Sequence, residues 1–200
     1  MSDANPDGGA LSALLQETRR FPPPAAFAAR AVVGGEVYGE ADADPVTWWA
    51  EQAKFLQWET PWDEVLDWQV PFARWFVGGR LNASVNCVDR HVEAGRGDRV
   101  AFHWVGEPDG DTRTITYGDL LEMVCKAANA LTEIGVRAGD RVAIYMPMVP
   151  EAVVAMLACA RLGAPHSVIF GGFSAEALAG RILDADARVV ILSLIHIRCV

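Results

Sequence analysis

The sequence predicts an α/β protein: a parallel sheet with crossover helices, preceded by a Trp-rich, mainly helical appendage. Three observations carry this. From Arg99 onward, short apolar runs alternate with amphipathic runs of helical period, at the spacing of strand and helix units. Gly and Pro residues punctuate the boundaries of those runs. Six of the chain's seven Trp, from Trp48 to Trp75, fall within 28 residues, a density that implies packing rather than a solvated linker.

Residues 1–44 are rich in Ala, Gly, Pro and Asp. Phe21-Pro22-Pro23-Pro24 favours extended polyproline structure, because each ring fixes φ and removes a donor. A mobile or surface-draped arm is expected there, with a short helix over Leu11 to Arg20, where Leu11, Leu14 and Leu15 share a face. At Asp44-Pro45 the composition changes. Pro45-Val46-Thr47-Trp48 starts a helix carrying Trp48, Trp49, Phe55 and Leu56, and Pro61 and Pro71 break the next stretch into short pieces. This region, 45–97, is expected to pack as an appendage onto a larger body rather than to serve as an aromatic stacking platform for a base or cofactor ring; single-stranded nucleic-acid binding would need interleaved cations, and only Lys54, Arg74 and Arg80 are present.

Asn86 to Glu93 suits a helix ending at Gly95, with Val88, His91 and Val92 on one side. Val100–Val105 and Thr112–Thr116 read as strands joined by the polar turn Gly106 to Asp111, a hairpin or bulged connection. Thr116 and Asp119 form a capping box with a shortened carboxylate, opening a helix whose apolar face is Leu120, Val124, Ala127, Ala128 and Leu131 and which Gly135 ends. Arg141 to Met146 is a compact strand. Pro150 sits in the first turn of a helix through Val153, Met156, Leu157 and Ala160 to Gly163. His166 to Phe170 is the next strand, Gly171-Gly172 a turn, Ser174 an N-cap for a helix over Ala175 to Asp184, and Arg188 to Ile191 the start of a further strand. Right-handed crossovers between such strands give a parallel sheet covered on both faces.

Composition limits the function classes. With 52% hydrophobic and 22% charged side chains the chain is not disordered throughout. Seventeen Lys and Arg against 26 Asp and Glu give a net charge of −9, so no basic stripe exists to neutralise nucleic-acid phosphates. The first nine residues have neither a basic n-region nor an apolar h-region. The apolar stretch from Val142 to Phe170 is interrupted by Pro147, Pro150, Glu151, Arg161 and Pro165, which a bilayer-spanning helix would not carry. A cytoplasmic protein with no membrane partner is expected. Cys87, Cys125, Cys159 and Cys199 stand 34 to 40 residues apart with no Cys-x-x-Cys pair, and read as small buried thiols rather than as metal or redox groups.

In an open parallel sheet, ligands bind beyond the carboxyl ends of the strands. Phe170-Gly171-Gly172-Phe173-Ser174 is the better of two such turns, because paired Gly let the backbone approach a ligand and the following helix N-terminus offers free N–H groups. It is neither Gly-x-Gly-x-x-Gly nor a P-loop; the absence of the former after any strand disfavours a nicotinamide-dinucleotide enzyme. In the turn from Tyr145 to Glu151, Glu151 faces the helix dipole and needs no catalytic role. Asp89-Arg90-His91 cannot converge on one atom from successive helical positions and reads as a salt-bridged helix. His103 and His166 read as satisfied core or edge histidines, and no Ser/His/Asp or Cys/His set can be assembled.

Several runs, in order, resemble the acetyl-CoA synthetase family: Trp58-Glu59-Thr60-Pro61-Trp62-Asp63, Trp75 to Asn82, Asn86 to Val92, Thr116 to Leu120, Gly139 to Pro147, and His166 to Ser174. The resemblance covers residue 45 to Ile191. It implies the first part of the large N-terminal domain of an adenylate-forming enzyme, with 98–191 the start of its AMP-binding domain. It further implies an enzyme that joins acetate to ATP, releases pyrophosphate, and passes the acetyl group from AMP to coenzyme A, with Mg²⁺ neutralising phosphate charge. Phe170, Gly171 and Gly172 match residues along the family's coenzyme A pantetheine tunnel, where a Cβ would narrow the passage. The family's phosphate loop, metal ligands and mobile Lys lie beyond this sequence, so catalytic and metal-ligating residues are assigned to none of its positions and the chain alone is expected to be inactive. Residues 192–200 depart from the family pattern inside a strand, the mark of a truncated or chimeric reading frame, and Arg198 falls near a family Arg by coincidence. Ile195 and Ile197 would add to exposed apolar surface. A propionyl- or other short-chain acyl-CoA synthetase, and a non-catalytic binding or assembly module, are the alternatives.

Overall fold

A computed structural model describes residues 20–193. The expected helix over Leu11 to Arg20, and the readings of Ile195, Ile197, Arg198 and Cys199, lie outside those residues apart from Arg20 itself. The chain divides into two compact units after Trp48. In the first, Phe21 to Pro24 are non-helical and are followed by helices α1 (Ala25–Ala28) and α2 (Glu36–Ala43), neither of which buries a residue. Ala-rich and Glu-containing stretches between the Pro and Gly breaks have enough propensity for these short helices. Helix α3 (Pro45–Ala53) begins as the sequence predicts, with the Asp44 carboxylate accepting from the Thr47 N–H at 3.0 Å and Pro45 at the first helical position.

The Trp-rich segment of the second unit is not mainly helical. After α3 it forms an antiparallel hairpin, β1 (Glu64–Gln69) with β2 (Phe72–Val77), in which Asp67 faces Arg74 and Leu66 faces Trp75. Pro71, a helix breaker by sequence, occupies the turn, where a missing N–H costs no ladder bond. Trp58, Trp62 and Phe76 pack together with ring centroids 5.0 to 5.6 Å apart, Trp62 meeting both other rings edge to face and Trp58 tilted against Phe76. Trp58 also donates to the Ala53 carbonyl at 2.9 Å. Asn86 ties this segment to the body: it accepts from the Gln57 N–H at 2.8 Å and donates to the Gln57 carbonyl at 2.9 Å, mimicking a strand partner.

Residues 83–96 are helical, with π-helical turns at Val85–Asp89 and Val92–Arg96, and Gly95 takes φ 71° near the end. Strands β3 (Val100–Val105) and β4 (Thr112–Thr116) pair antiparallel with an irregularity between Val100 and Phe102. Helix α4 (Tyr117–Glu133) opens on the expected capping box: Thr116 Oγ1 accepts from the Asp119 N–H at 3.1 Å and the Asp119 carboxylate accepts from the Thr116 N–H at 3.1 Å. Strand β5 (Val142–Met146), helix α5 (Pro150–Leu162), strand β6 (His166–Phe170), helix α6 (Ala175–Asp184) and strand β7 (Val189–Leu192) follow. The sheet is parallel, in the order β6-β5-β7.

The core lies between α4, α5 and β5. Ala128, Leu131, Val142, Ile144, Ala155, Ala158 and Cys159 form one buried cluster, and Val88, Ile115, Leu120, Val124 and Val154 another. Small residues at 128, 155 and 158 let the two helices approach closely. Helix α5 runs through Val153, Met156, Leu157 and Ala160 to a C-cap at Gly163 as expected, and buries Val154, Ala155, Ala158 and Cys159 while the former four are partly covered. A helix apolar all round carries no periodicity that would choose its buried side. Helix α6 buries no residue fully, yet on the sheet face away from the core Ala143 and Ile169 are buried. Of the described cysteines only Cys159 is buried; Cys125 is half-buried and Cys87 is exposed, which corrects the reading of buried thiols throughout. Burial pushes the Cys159 thiol up to about 11.

Candidate functional site

The carboxyl ends of β5 and β6 are level, Met146 standing opposite Phe170 and Tyr145 opposite Ile169. Along β5, Val142 and Ile144 belong to the core beneath α4 and α5, and Met146 packs against it. Successive strand side chains alternate faces, so Ala143 and Tyr145 point to the other side of the sheet. The connection after β5 leads to α5, on the core side. That after β6 leads to α6 and then crosses β5 to reach β7; right-handed crossovers taken in opposite directions place the two helices on opposite faces. Two adjacent strands whose connections part to opposite faces make a switch-point crevice. The turns at 147–149 and 171–174 flank it.

Phe170, Gly171 and Gly172 lie together at this edge. Phe170 is 66% exposed and its ring meets the Phe173 ring edge to face at 6.0 Å, while the Arg181 guanidinium lies 4.3 Å over Phe173. At Gly172 a Cβ would come within 2.8 Å of Phe170 Cε1, so the ring takes its place because position 172 has no side chain. The Tyr145 hydroxyl reaches from the central strand to both flanks of the turn, 2.9 Å from the Gly171 carbonyl and 3.0 Å from that of Phe173. Ser174 caps α6, its Oγ accepting from the Ala177 N–H at 3.2 Å, with Glu176 in the first turn. One helix-end donor is thus engaged, and an acidic residue already faces the dipole.

The other turn is braced from the β3–β4 hairpin. Trp104 Nε1 donates to the Met148 carbonyl at 2.7 Å, Arg113 lies 4.8 Å over the Trp104 ring, and the same guanidinium pairs with Glu151 at 2.8 Å. Glu151 is therefore an ion-pair partner in a first helical turn.

The remaining polar residues singled out in the sequence do not join this edge. Asp89 pairs with Arg161 of α5, Arg90 donates to the Phe55 carbonyl, and His91 packs on the Tyr117 ring at 4.7 Å with Arg96 2.9 Å from its Nδ1. Burial, reinforced by Arg90 and Arg96, holds His91 below the ordinary imidazole value. His103 is exposed beside Thr114 at 3.0 Å and His166 is exposed at the opposite end of β6. Sequence reasoning did not single out Tyr145, Trp104 or Asn86 for these bonds. The available signal for Tyr145 was a polar-tipped side chain in the last turn of an apolar strand, on the face away from the core.

Comparison with known proteins is consistent along the chain. Residues 35–87 match the sequence model described as the acetyl-coenzyme A synthetase N-terminus, and residues 88–198 match that of the AMP-binding enzymes. Proteins named acetyl-coenzyme A synthetase from Mycolicibacterium smegmatis and Mycobacterium bovis are 66% and 64% identical to it, each over 86% of this chain. One from Streptomyces avermitilis is 64% identical over 90%. The aligned region spans 18%, 26% and 28% of those three relatives respectively. No helix among the described residues is long and apolar enough to cross a membrane. With more than half of its length matched by one family model, the chain belongs to the AMP-binding enzyme family.

Proposed function

We propose that this chain is the N-terminal part of an acetate–CoA ligase. The carrying observation is the unbroken succession of the acetyl-coenzyme A synthetase N-terminal region and the AMP-binding region within one chain. In the parent, acetate would attack the α-phosphorus of ATP to give acetyl-adenylate and pyrophosphate. The thiol of coenzyme A would then take the acetyl group, releasing AMP. ATP, coenzyme A and Mg²⁺ are accordingly proposed for the parent, acetate as its acyl substrate, and the cytoplasm as its compartment.

Within the chain, 45–97 serves as the appendage and 98–191 as the start of the adenylate-forming domain. Phe170, Gly171 and Gly172 line one wall of the coenzyme A passage by shape and backbone contact. Support for this comes from their place at the switch-point edge and from the close approach of the Phe170 ring to Gly172, where a Cβ would displace the ring. No residue here is given a catalytic or metal-binding role. The test is acetyl-CoA formation by the complete gene product, with acetate, propionate and no acid compared. Acetate-dependent release of AMP and pyrophosphate, absent from the 200-residue chain alone, is the expected result. A higher kcat/KM with propionate would reassign the substrate, and turnover with neither acid would favour a binding or assembly module.

A further inference from the structure

We propose that Tyr145 is a positioning residue for the thiol substrate: its hydroxyl, carried on the central strand, fixes the Gly171–Phe173 turn that the thiol-bearing arm passes. The proposal rests on the ligase reading and on the placing of that turn beside coenzyme A.

Strand β5 is paired on both sides, with β6 and with β7, so the Tyr145 backbone is held by the most constrained strand of the sheet. The turn it reaches follows β6, which among the described residues is paired on one side, with β5. The two acceptors lie on either side of Gly172, at 2.9 and 3.0 Å, and the single hydroxyl proton is shared between them. The bond therefore sets the backbone at the one residue whose missing Cβ admits the Phe170 ring. Phe173, whose carbonyl is one acceptor, in turn carries the ring that meets Phe170 and lies under Arg181. Removing the hydroxyl leaves the phenyl ring and its packing in place while releasing both carbonyls. The turn, and with it the Phe170 and Gly172 wall, then loses its anchor to the central strand.

Tyr145→Phe in the complete enzyme tests this. The expected result is a KM for coenzyme A raised about fivefold, the effect of losing one such hydrogen bond. Acetate-dependent exchange of pyrophosphate into ATP, which precedes thiol binding, should be unchanged, as should the KM for ATP, the KM for acetate and the melting temperature. An unchanged KM for coenzyme A would overturn the proposal. So would a variant in which all three KM values, kcat and melting temperature deteriorate together, since that is the mark of a merely structural residue. Absence of acetate-dependent exchange in the wild-type enzyme would sink the ligase reading instead, and would be seen before the variant is made.

Discussion

At Gly79 an added Cβ would stand 2.6 Å from the Trp58 ring and 3.0 Å from the Phe76 carbonyl. Trp58 cannot retreat, because its other neighbours are the Trp62 and Phe76 rings and its indole N–H is engaged with Ala53. Gly79→Ala is therefore expected to destabilise the second unit by about 1–3 kcal/mol through overpacking, read as a lower midpoint in urea denaturation with an unchanged slope. A midpoint equal to wild type would show that the aromatic cluster yields at little cost. The same scale shows what single residues disclosed in advance. Thr116 and Asp119 named their own partners, because a cap is a local bond between residues three apart. Asn86 and Tyr145 could not, since their partners are 29, 26 and 28 residues away and nothing local marks the pairing.

The strands and helices after Arg99 were legible because each begins or ends on a residue with one dominant backbone preference, such as Pro150 at a first turn or Gly163 at a left-handed C-cap with φ 68°. The hairpin of residues 64–77 was not. Its alternation is obscured by apolar residues on both faces, and Pro71 is as compatible with a broken helix as with a turn. Pairing between β5 and β7 is also invisible locally, yet it is reinforced at the amino end by Arg188, which donates to Asp140 at 2.8 Å, and by Arg141 with Asp186. The Arg188 guanidinium, then the Arg137 N–H, holds the Asp140 carboxyl below its ordinary 3.8. A depressed carboxylate contributes stability that is present above the unfolded value and lost as pH falls through the folded one. Stability is thus expected to fall on acidification below about pH 4, and Asp140→Asn to lower stability at neutral pH while flattening the acid limb. Denaturation midpoints across pH 3 to 7, roughly the window in which carboxylates titrate, check this; parallel curves for the two proteins would assign the acid sensitivity to other groups.

Over the whole molecule, the candidate turn could be marked in the sequence as a place, and less so as a construction. The rule that ligands sit beyond strand carboxyl ends, applied to a Gly pair, pointed to the turn from Phe170 to Ser174, and the family resemblance narrowed it to Phe170, Gly171 and Gly172; the hydroxyl that holds the turn, and the Trp104, Arg113 and Glu151 brace beside it, depend on strand order and register. The same topology leaves apolar surface uncovered among the described residues. Trp68, Val70 and Phe72 of the hairpin are exposed, as are Val168 and Phe170 on the edge strand β6. A groove of about 360 Å³, lined chiefly by Ala130, Ile134, Met146, Val154 and Ile191, opens beside β7. Edge strands and apolar patches of this kind promote association, whereas a net charge of −9 opposes it by mutual repulsion. Which effect prevails depends on salt: added ions screen the repulsion, and excluded anions such as sulfate strengthen apolar contact. The 200-residue chain on its own is therefore expected to be closest to monomeric at low ionic strength and to grow in mean mass with protein concentration as salt is raised, more steeply with sulfate than with chloride. Light scattering coupled to size-exclusion chromatography measures this directly. A single monomeric mass at every salt and concentration would mean that the exposed faces are too small or too divided to dock, whereas association that weakens with salt would assign it to ion pairs instead.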